Sequence, residues 1–432
     1  MRSFYTFMWW LAMPLVLGRL WWRGRKEPGY RQYWGERLGL YGARAANDEP
    51  LTIWVHAVSV GETRASEPLV DALLKRYPHA RIVLTCMTPT GRATGKSLFA
   101  KHGSRLVQSY LPYDLPGLVG RFIAHFQPRL CILMETEVWP NLIAQCKRRN
   151  VPVALANARL SERSLRKGLR FGGLMRDAAQ GISYVAAQTE ADAVRIRTLG
   201  VGNVGVTGSI KFDVLVPQAA LDIGAQLRRQ FGARPVFLCA STREGEEGMI
   251  LEALANARAA TGTAVLPADL LLLIVPRHPQ RFGEVEAMIA ERGLSVVRRS
   301  SLTTPDANLP PETAVVLGDS MGEMFAYYSA CDLAFIGGSL QPLGGQNLIE
   351  PAALGKPILV GQHTFNFAQA TEDCLQEGGA VRVSGADDLM REAARLLGDD
   401  TARETMGRQA QVFANRHRGA TARTLDLLPM LD

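Results

Sequence analysis

The chain has 432 residues, 47% of them hydrophobic and 21% charged, with a formal net charge of +8. That length suits two domains with full-sized cores, and that balance excludes a disordered chain. The six cysteines (Cys86, Cys131, Cys146, Cys239, Cys331, Cys374) lie far apart with no CxxC or Cys/His spacing, which argues against a disulfide framework or a zinc site and favours a reducing, cytosolic setting.

Residues 4–17 are apolar but for Thr6, and Trp9, Trp10, Trp21 and Trp22 flank the run. Arg19 cuts the uncharged stretch below the roughly 20 residues of a comfortable membrane span. No small-residue cleavage site follows, and positive charge comes after the apolar run, which argues against a signal peptide. A buried helix is one alternative. The tryptophans and the basic residues Arg19, Arg23, Arg25, Lys26, Arg31 and Arg37 predict instead a membrane-anchor helix over residues 1–22, either a short span or a helix lying in the interface. The positive-inside rule then leaves the rest of the chain on the cytoplasmic side, with anionic lipid as a partner. A second basic block, Arg159, Arg163, Arg166, Lys167, Arg170 and Arg176, suits an acidic partner or a solvated helix face equally well.

From residue 51 short apolar runs alternate with helical stretches such as 65–77 and 139–149. Strands are predicted at 51–58, 81–86, 130–134, 151–156 and 184–187, and the rhythm restarts at 236–239, 270–275, 314–317, 333–336, 357–360 and 381–383. Near-continuous apolar strands imply parallel sheets covered on both faces. The expected fold is therefore α/β, with two doubly wound, Rossmann-like domains. A hinge near 208–234 gives domains of 23–210 and 211–432 after the anchor. Residues 298–313 read as a surface loop, and 389–428 as a helical segment able to pack back on the first domain.

The chemistry-bearing residues follow strands, at the end of a parallel sheet where ligands bind. Glu62, in HAVSVGETR (56–64), is a candidate general base or a glutamate complementing a helix start. Glu135 and Glu137 follow the run 130–134 and share a face if the strand persists; they bind something or are solvated loop acids. Arg277, after Pro276, suits a phosphate, whereas His278 alone is more often structural. Gly322, Glu323 and Met324 offer a turn to a base or phosphate, or merely start a helix. Lys211 at the domain junction offsets charge on a leaving phosphate or is an exposed hinge lysine.

The stretch GGSLQPLGGQNLIEP (337–351) puts four glycines after a strand and Glu350 one turn into the next helix, a seat for a nucleotide's phosphate and sugar. Residues 91–97 (GRATGKS) fail as a Walker A loop, because three residues rather than four separate the glycines, so nucleoside-triphosphate hydrolysis is rejected.

Together these stretches resemble the 3-deoxy-D-manno-octulosonic acid (Kdo) transferases of lipopolysaccharide assembly. The resemblance covers nearly the whole chain. It rests on the aromatic N-terminus, YRQYWGERLG (30–39), HAVSVGE, TCMTPTGR (85–92), METEVWPN (134–141), ANARLSERS (156–164), TGSIKFD (207–213), VPRHPQRF (275–282) and GGQNLIEPAALGKP (344–357). It implies a GT-B type enzyme whose two domains face a cleft, moving Kdo from CMP-Kdo to a lipid A precursor, lipid IVA, with inversion. By the same resemblance Glu62 is the proton acceptor, and Glu135 and Lys211 support the transition state. Pro276, Arg277, Gly322, Glu323, Met324, Asn347, Leu348, Ile349 and Glu350 contact CMP. It implies no metal, no cofactor and no nucleic acid, and a place at the cytoplasmic side of the inner membrane. The alternatives are another GT-B enzyme using a UDP-sugar (a transferase or a 2-epimerase) and a non-enzymatic membrane-tethered scaffold.

Overall fold

The computed structural model describes residues 1–42, 51–259, 265–304 and 308–431; residues 305–307 of the expected surface loop lie outside these. The chain divides into two compact units, Met1–Asp213 with Arg418–Asp432, and Val214–His417.

In the first unit β1 (Thr52–His56), β2 (Arg81–Cys86), β3 (Leu106–Tyr110), β4 (Leu130–Met134), β5 (Val153–Ala158), β6 (Tyr184–Ala187) and β7 (Val204–Val206) form one parallel sheet in the order β3-β2-β1-β4-β5-β6-β7. Alternate residues of β1 and β4 feed opposite faces, as the pleat dictates. Trp54 and Leu133 join Phe122 and Ile143 on one side. Ile53 and Ile132 join Leu69 and Leu73 on the other. The chain winds outward from β1 to β3 and then returns to β4, so the winding direction reverses between β1 and β4.

The second unit repeats the plan with β8 (Val236–Thr242), β9 (Leu271–Pro276), β10 (Val296–Arg298), β11 (Val315–Leu317), β12 (Leu333–Ile336), β13 (Ile358–Val360) and β14 (Ala380–Arg382), in the order β10-β11-β9-β8-β12-β13-β14. Its reversal falls between β8 and β12. Phe237, Ile274 and Phe335 pack on one face, and Leu238, Leu273 and Tyr327 on the other.

Several boundaries differ from those expected. The division falls after Asp213, which puts Lys211 in the first unit. The helix Ala420–Leu427 also belongs there, and the Asp213 carboxylate holds its start by accepting the N–H groups of Gly419 and Thr421 at 2.6 and 2.5 Å.

The N-terminal segment is not a separate body. Helix α1 (Arg2–Arg23) lies against the first unit, with Met13 packed on Tyr113, Leu115 and Leu118. Tyr5 donates to Asp114 at 2.9 Å and Thr6 to Asn141 at 3.1 Å. Among the described residues no helix is long and apolar enough to cross a membrane. The spanning form of the expected anchor is thus not met: Arg19 interrupts the apolar run, and one face of α1 is engaged by protein. Arg37, counted in the first basic block, is buried, stacked over Tyr110 and donating to the Met87 carbonyl. Arg19, Arg23, Arg25, Lys26 and Arg31 are exposed.

Candidate active site

Glu62 stands just past β1, on the short helix Val60–Ala65. Ser59 caps that helix, its Oγ accepting the Glu62 N–H at 3.3 Å. The Glu62 carboxylate reaches back to accept the Val58 N–H at 2.8 Å and the Ser59 hydroxyl at 3.1 Å. The two readings of this residue therefore merge: reciprocal bonds between Ser59 and Glu62, close to a capping box but reaching the Val58 N–H, fix a half-buried carboxylate at the strand exit. Burial raises its pKa, the neighbouring Glu135 charge adds to that, and the Val58 and Ser59 bonds and Lys211 oppose it.

Glu135 leaves β4 in the left-handed region at φ 56°, which costs a non-glycine residue about 1–2 kcal/mol. Its N–H still joins the sheet edge, donating to the Ala156 carbonyl at 2.9 Å. The carboxylate pairs with Lys211 Nζ at 2.8 Å and lies 3.7 Å from Arg159 Nε. Lys211 is held in place by β5: the buried Asn157 side chain accepts the Ile210 N–H at 3.1 Å. β4 ends at Met134, so strand alternation does not extend to Glu137. Trp139 Nε1 donates to Glu137 at 2.8 Å, and burial plus the charges of Glu62 and Glu135 push its carboxyl up to about 7. The structure thus brings Glu62, Glu135, Glu137 and Lys211 together where the sheet reverses. His56, by contrast, is buried and neutral, its Nδ1 2.9 Å from Thr85 Oγ1 and its pKa lowered to about 4 by burial.

In the second unit the exits of β8 and β12 are drawn together by Glu246. This fully buried carboxylate accepts the N–H groups of Arg243 (2.9 Å), Gly338 (2.6 Å) and Leu340 (3.0 Å). Gly345 and Gln346 donate back to the carbonyls of Gly338 and Gly337. The N–H groups of Gly338, Leu340, Gly345 and Gln346 are therefore engaged within the protein. Gly337 serves close packing: a Cβ there would stand 2.6 Å from Ser241 O and Thr242 Cα.

Arg277 follows β9 and donates its N–H to the Thr242 carbonyl at 2.9 Å. Gly322 is exposed in a turn at φ 83°; the Glu323 carboxylate accepts the Ser320 hydroxyl at 2.6 Å and lies 3.1 Å from Arg299. Met324 Sδ lies 3.9 Å from the Ser241 hydroxyl, so the β11 exit touches the β8 exit. Asn347 accepts the Ile349 N–H at 3.0 Å and donates to Glu350 at 3.1 Å. Leu348, Ile349 and Pro276 are buried.

Residues 32–214 match the family described as 3-deoxy-D-manno-octulosonic-acid transferase (kdotransferase). A 3-deoxy-D-manno-octulosonic acid transferase of Bordetella pertussis is 44% identical over 430 residues, which span 99% of this chain and 98% of that protein. The chain belongs to the 3-deoxy-D-manno-octulosonic acid transferase family. The transferase is accordingly an enzyme, a glycosyltransferase, and not a scaffold. A relative of the same name from Haemophilus influenzae is 41% identical over 431 residues, 99% of this chain and 98% of its own. In fold the transferase is similar to a UDP-GlcNAc 2-epimerase from Neisseria meningitidis, with a TM-score of 0.59 at 14% identity over 87% of this chain and 99% of that one. It is also similar to a glycosyltransferase from Rickettsia africae, with a TM-score of 0.57 at 14% identity over 88% and 98%. The two parallel-sheet α/β domains are thus of the GT-B kind.

Sequence reasoning passed over Arg243 and Glu246 of the transferase. The signal was present in STREGEE (241–247), an arginine at a strand exit with an acid three residues on. Only the structure shows that acid tying the strand exit to Gly338.

Proposed function

We propose that the transferase moves a Kdo residue from CMP-Kdo to a hydroxyl of lipid IVA, with inversion, in lipopolysaccharide biosynthesis at the cytoplasmic face of the inner membrane. The observation that carries this reading is the Glu62 carboxylate, fixed at the β1 exit, half-buried and raised in pKa. A carboxylate so held is a general base for an alcohol. Glu62 takes the proton of the acceptor hydroxyl as its oxygen bonds to the anomeric carbon of Kdo. The carbon–oxygen bond to the phosphate breaks on the opposite side, and CMP leaves with the electron pair. Lys211, beside Glu135, offsets negative charge developing near the reacting centre. Arg277, the turn at Gly322, Glu323 and Met324, and Asn347, Leu348, Ile349 and Glu350 hold CMP.

Helix α1 supports membrane docking in the plane of the interface. Phe4, Phe7, Trp10, Leu11, Leu15, Trp21 and Trp22 are exposed, beside exposed Arg19, Arg23 and Arg25. Anionic lipid of the inner membrane is the partner of that surface.

Mass spectrometry of lipid IVA incubated with the protein and CMP-Kdo tests the reaction; an unmodified acceptor would sink it. Thermal denaturation with CMP or UDP tests the nucleotide, because only a bound ligand raises the melting temperature. Protection by UDP alone would favour a UDP-sugar donor.

A further inference from the structure

β8 and β9 are neighbours beside the reversal of the second sheet, and their pairing ends with Thr242 opposite Pro276. Each strand hands an arginine to the next position, Arg243 and Arg277. Neighbouring strands lie about 4.8 Å apart, so the two side chains leave the sheet edge close together.

The surroundings of Arg243 hold it ready for an anion. Its N–H donates to the Glu246 carboxylate at 2.9 Å, and its carbonyl accepts the Glu246 N–H at 3.0 Å. Its stem lies against Gly338, where a Cβ would stand 3.5 Å from Arg243 Cγ. Its Nε is buried without a hydrogen-bond partner among the described residues. The two buried acids that follow it are already engaged. Glu246 takes the three backbone N–H groups, and Glu247 takes both forks of Arg281, at 2.8 and 3.1 Å, with the Thr242 hydroxyl at 2.7 Å. Burial and then the charges of Arg243 and Arg277 hold His278 below its ordinary pKa against the opposing charge of exposed Glu244, so both arginines act on the same corner.

Given the donor reading above, on which this step rests, the ligand has a matching pattern. An octulosonic acid activated at its anomeric carbon bears a carboxylate and a phosphate on that one carbon. Two anions on one atom call for two cations side by side, each with a planar fork of donors. We propose that Arg243 binds the carboxylate of the donor sugar beside Arg277 on the phosphate, and so selects an acidic sugar over a neutral one.

Arg243→Met tests this, because it keeps the stem against Gly338 and removes the charge. Two quantities are read: the KM for CMP-Kdo, and the inhibition constant of CMP, which has the phosphate but no sugar carboxylate. Loss of a charge-assisted contact should raise the donor KM roughly ten- to a hundredfold. The CMP constant should stay near the wild-type value, and Arg243→Lys should restore part of the donor affinity. A rise in both constants by the same factor would overturn the assignment, since it would mean a phosphate contact or a collapsed site. An unchanged donor KM would overturn it too. Wild-type protein that CMP does not inhibit would sink the nucleotide reading itself, and this assignment with it.

Discussion

The two units reverse strand order in the same way, yet they place different groups at their strand exits. In the first, Glu62, Glu135 and Glu137 crowd at the reversal, and burial and like charge push Glu62 and Glu137 upward. In the second, burial and the Glu247 charge push Glu246 upward too, but Glu246 and Glu247 are fully buried and matched by three backbone N–H groups and by Arg281. At the exits of β8 and β9 stand two arginines, Arg243 and Arg277. On the proposed function the same scaffold would present proton-accepting chemistry on one sheet and anion-holding chemistry on the other. The difference follows burial: Glu246 and Glu247 are fully enclosed, whereas Glu62 and Glu137 keep part of their exposure.

The contrast breaks first at Glu62. Glu62→Gln removes the base and should cut turnover by about 10²–10⁴-fold while CMP still protects against thermal unfolding. Initial rates that match wild type would refute the assignment. Lys211→Met comes next, with an expected loss of about 10²–10³-fold, because Glu135 is left without its closest cation. The same variant should move the acidic limb of the rate profile to higher pH, since Lys211 favours ionised Glu62. A loss no larger than that of an exposed-lysine substitution would demote it to a surface residue.

In the second unit Glu246→Gln sharpens the comparison. Both oxygens accept N–H groups, so an amide sets a donor against a donor and should cost about 1–3 kcal/mol in denaturant unfolding. Glu137→Gln should do the reverse near neutrality. Its native pKa of about 7 lies above the ordinary 4.5, so its contribution to stability is present below the lower value and lost as pH rises through the higher. The variant should therefore gain on wild type between those limits. Parallel stability curves from pH 4 to pH 8 would show that Glu137 is not the group titrating there.

The interior of both sheets was legible because strands flanked on both sides are continuous apolar runs, as in CILM of β4 and LLLIV of β9. The three strands not anticipated, β3, β7 and β10, all lie at sheet edges. LVQSY, VGV and VVR carry too little apolar length there to stand out. Glu62 was legible from its place after β1. The glycine-rich turn was legible as a motif, but not the bond of its Gly338 N–H to an acid 92 residues earlier in the chain. Arg243 was hidden for the same reason: its fixed backbone depends on a partner that also grips a distant strand exit.

The grip of Asp213 on Gly419 and Thr421 also bears on biosynthesis. Residues from both ends of the polypeptide build the first unit, with the second interposed as one uninterrupted stretch. A ribosome therefore releases everything the second unit needs before the first has its closing helix. Domains generally fold as they emerge, and here the second unit has all its residues available before the first does.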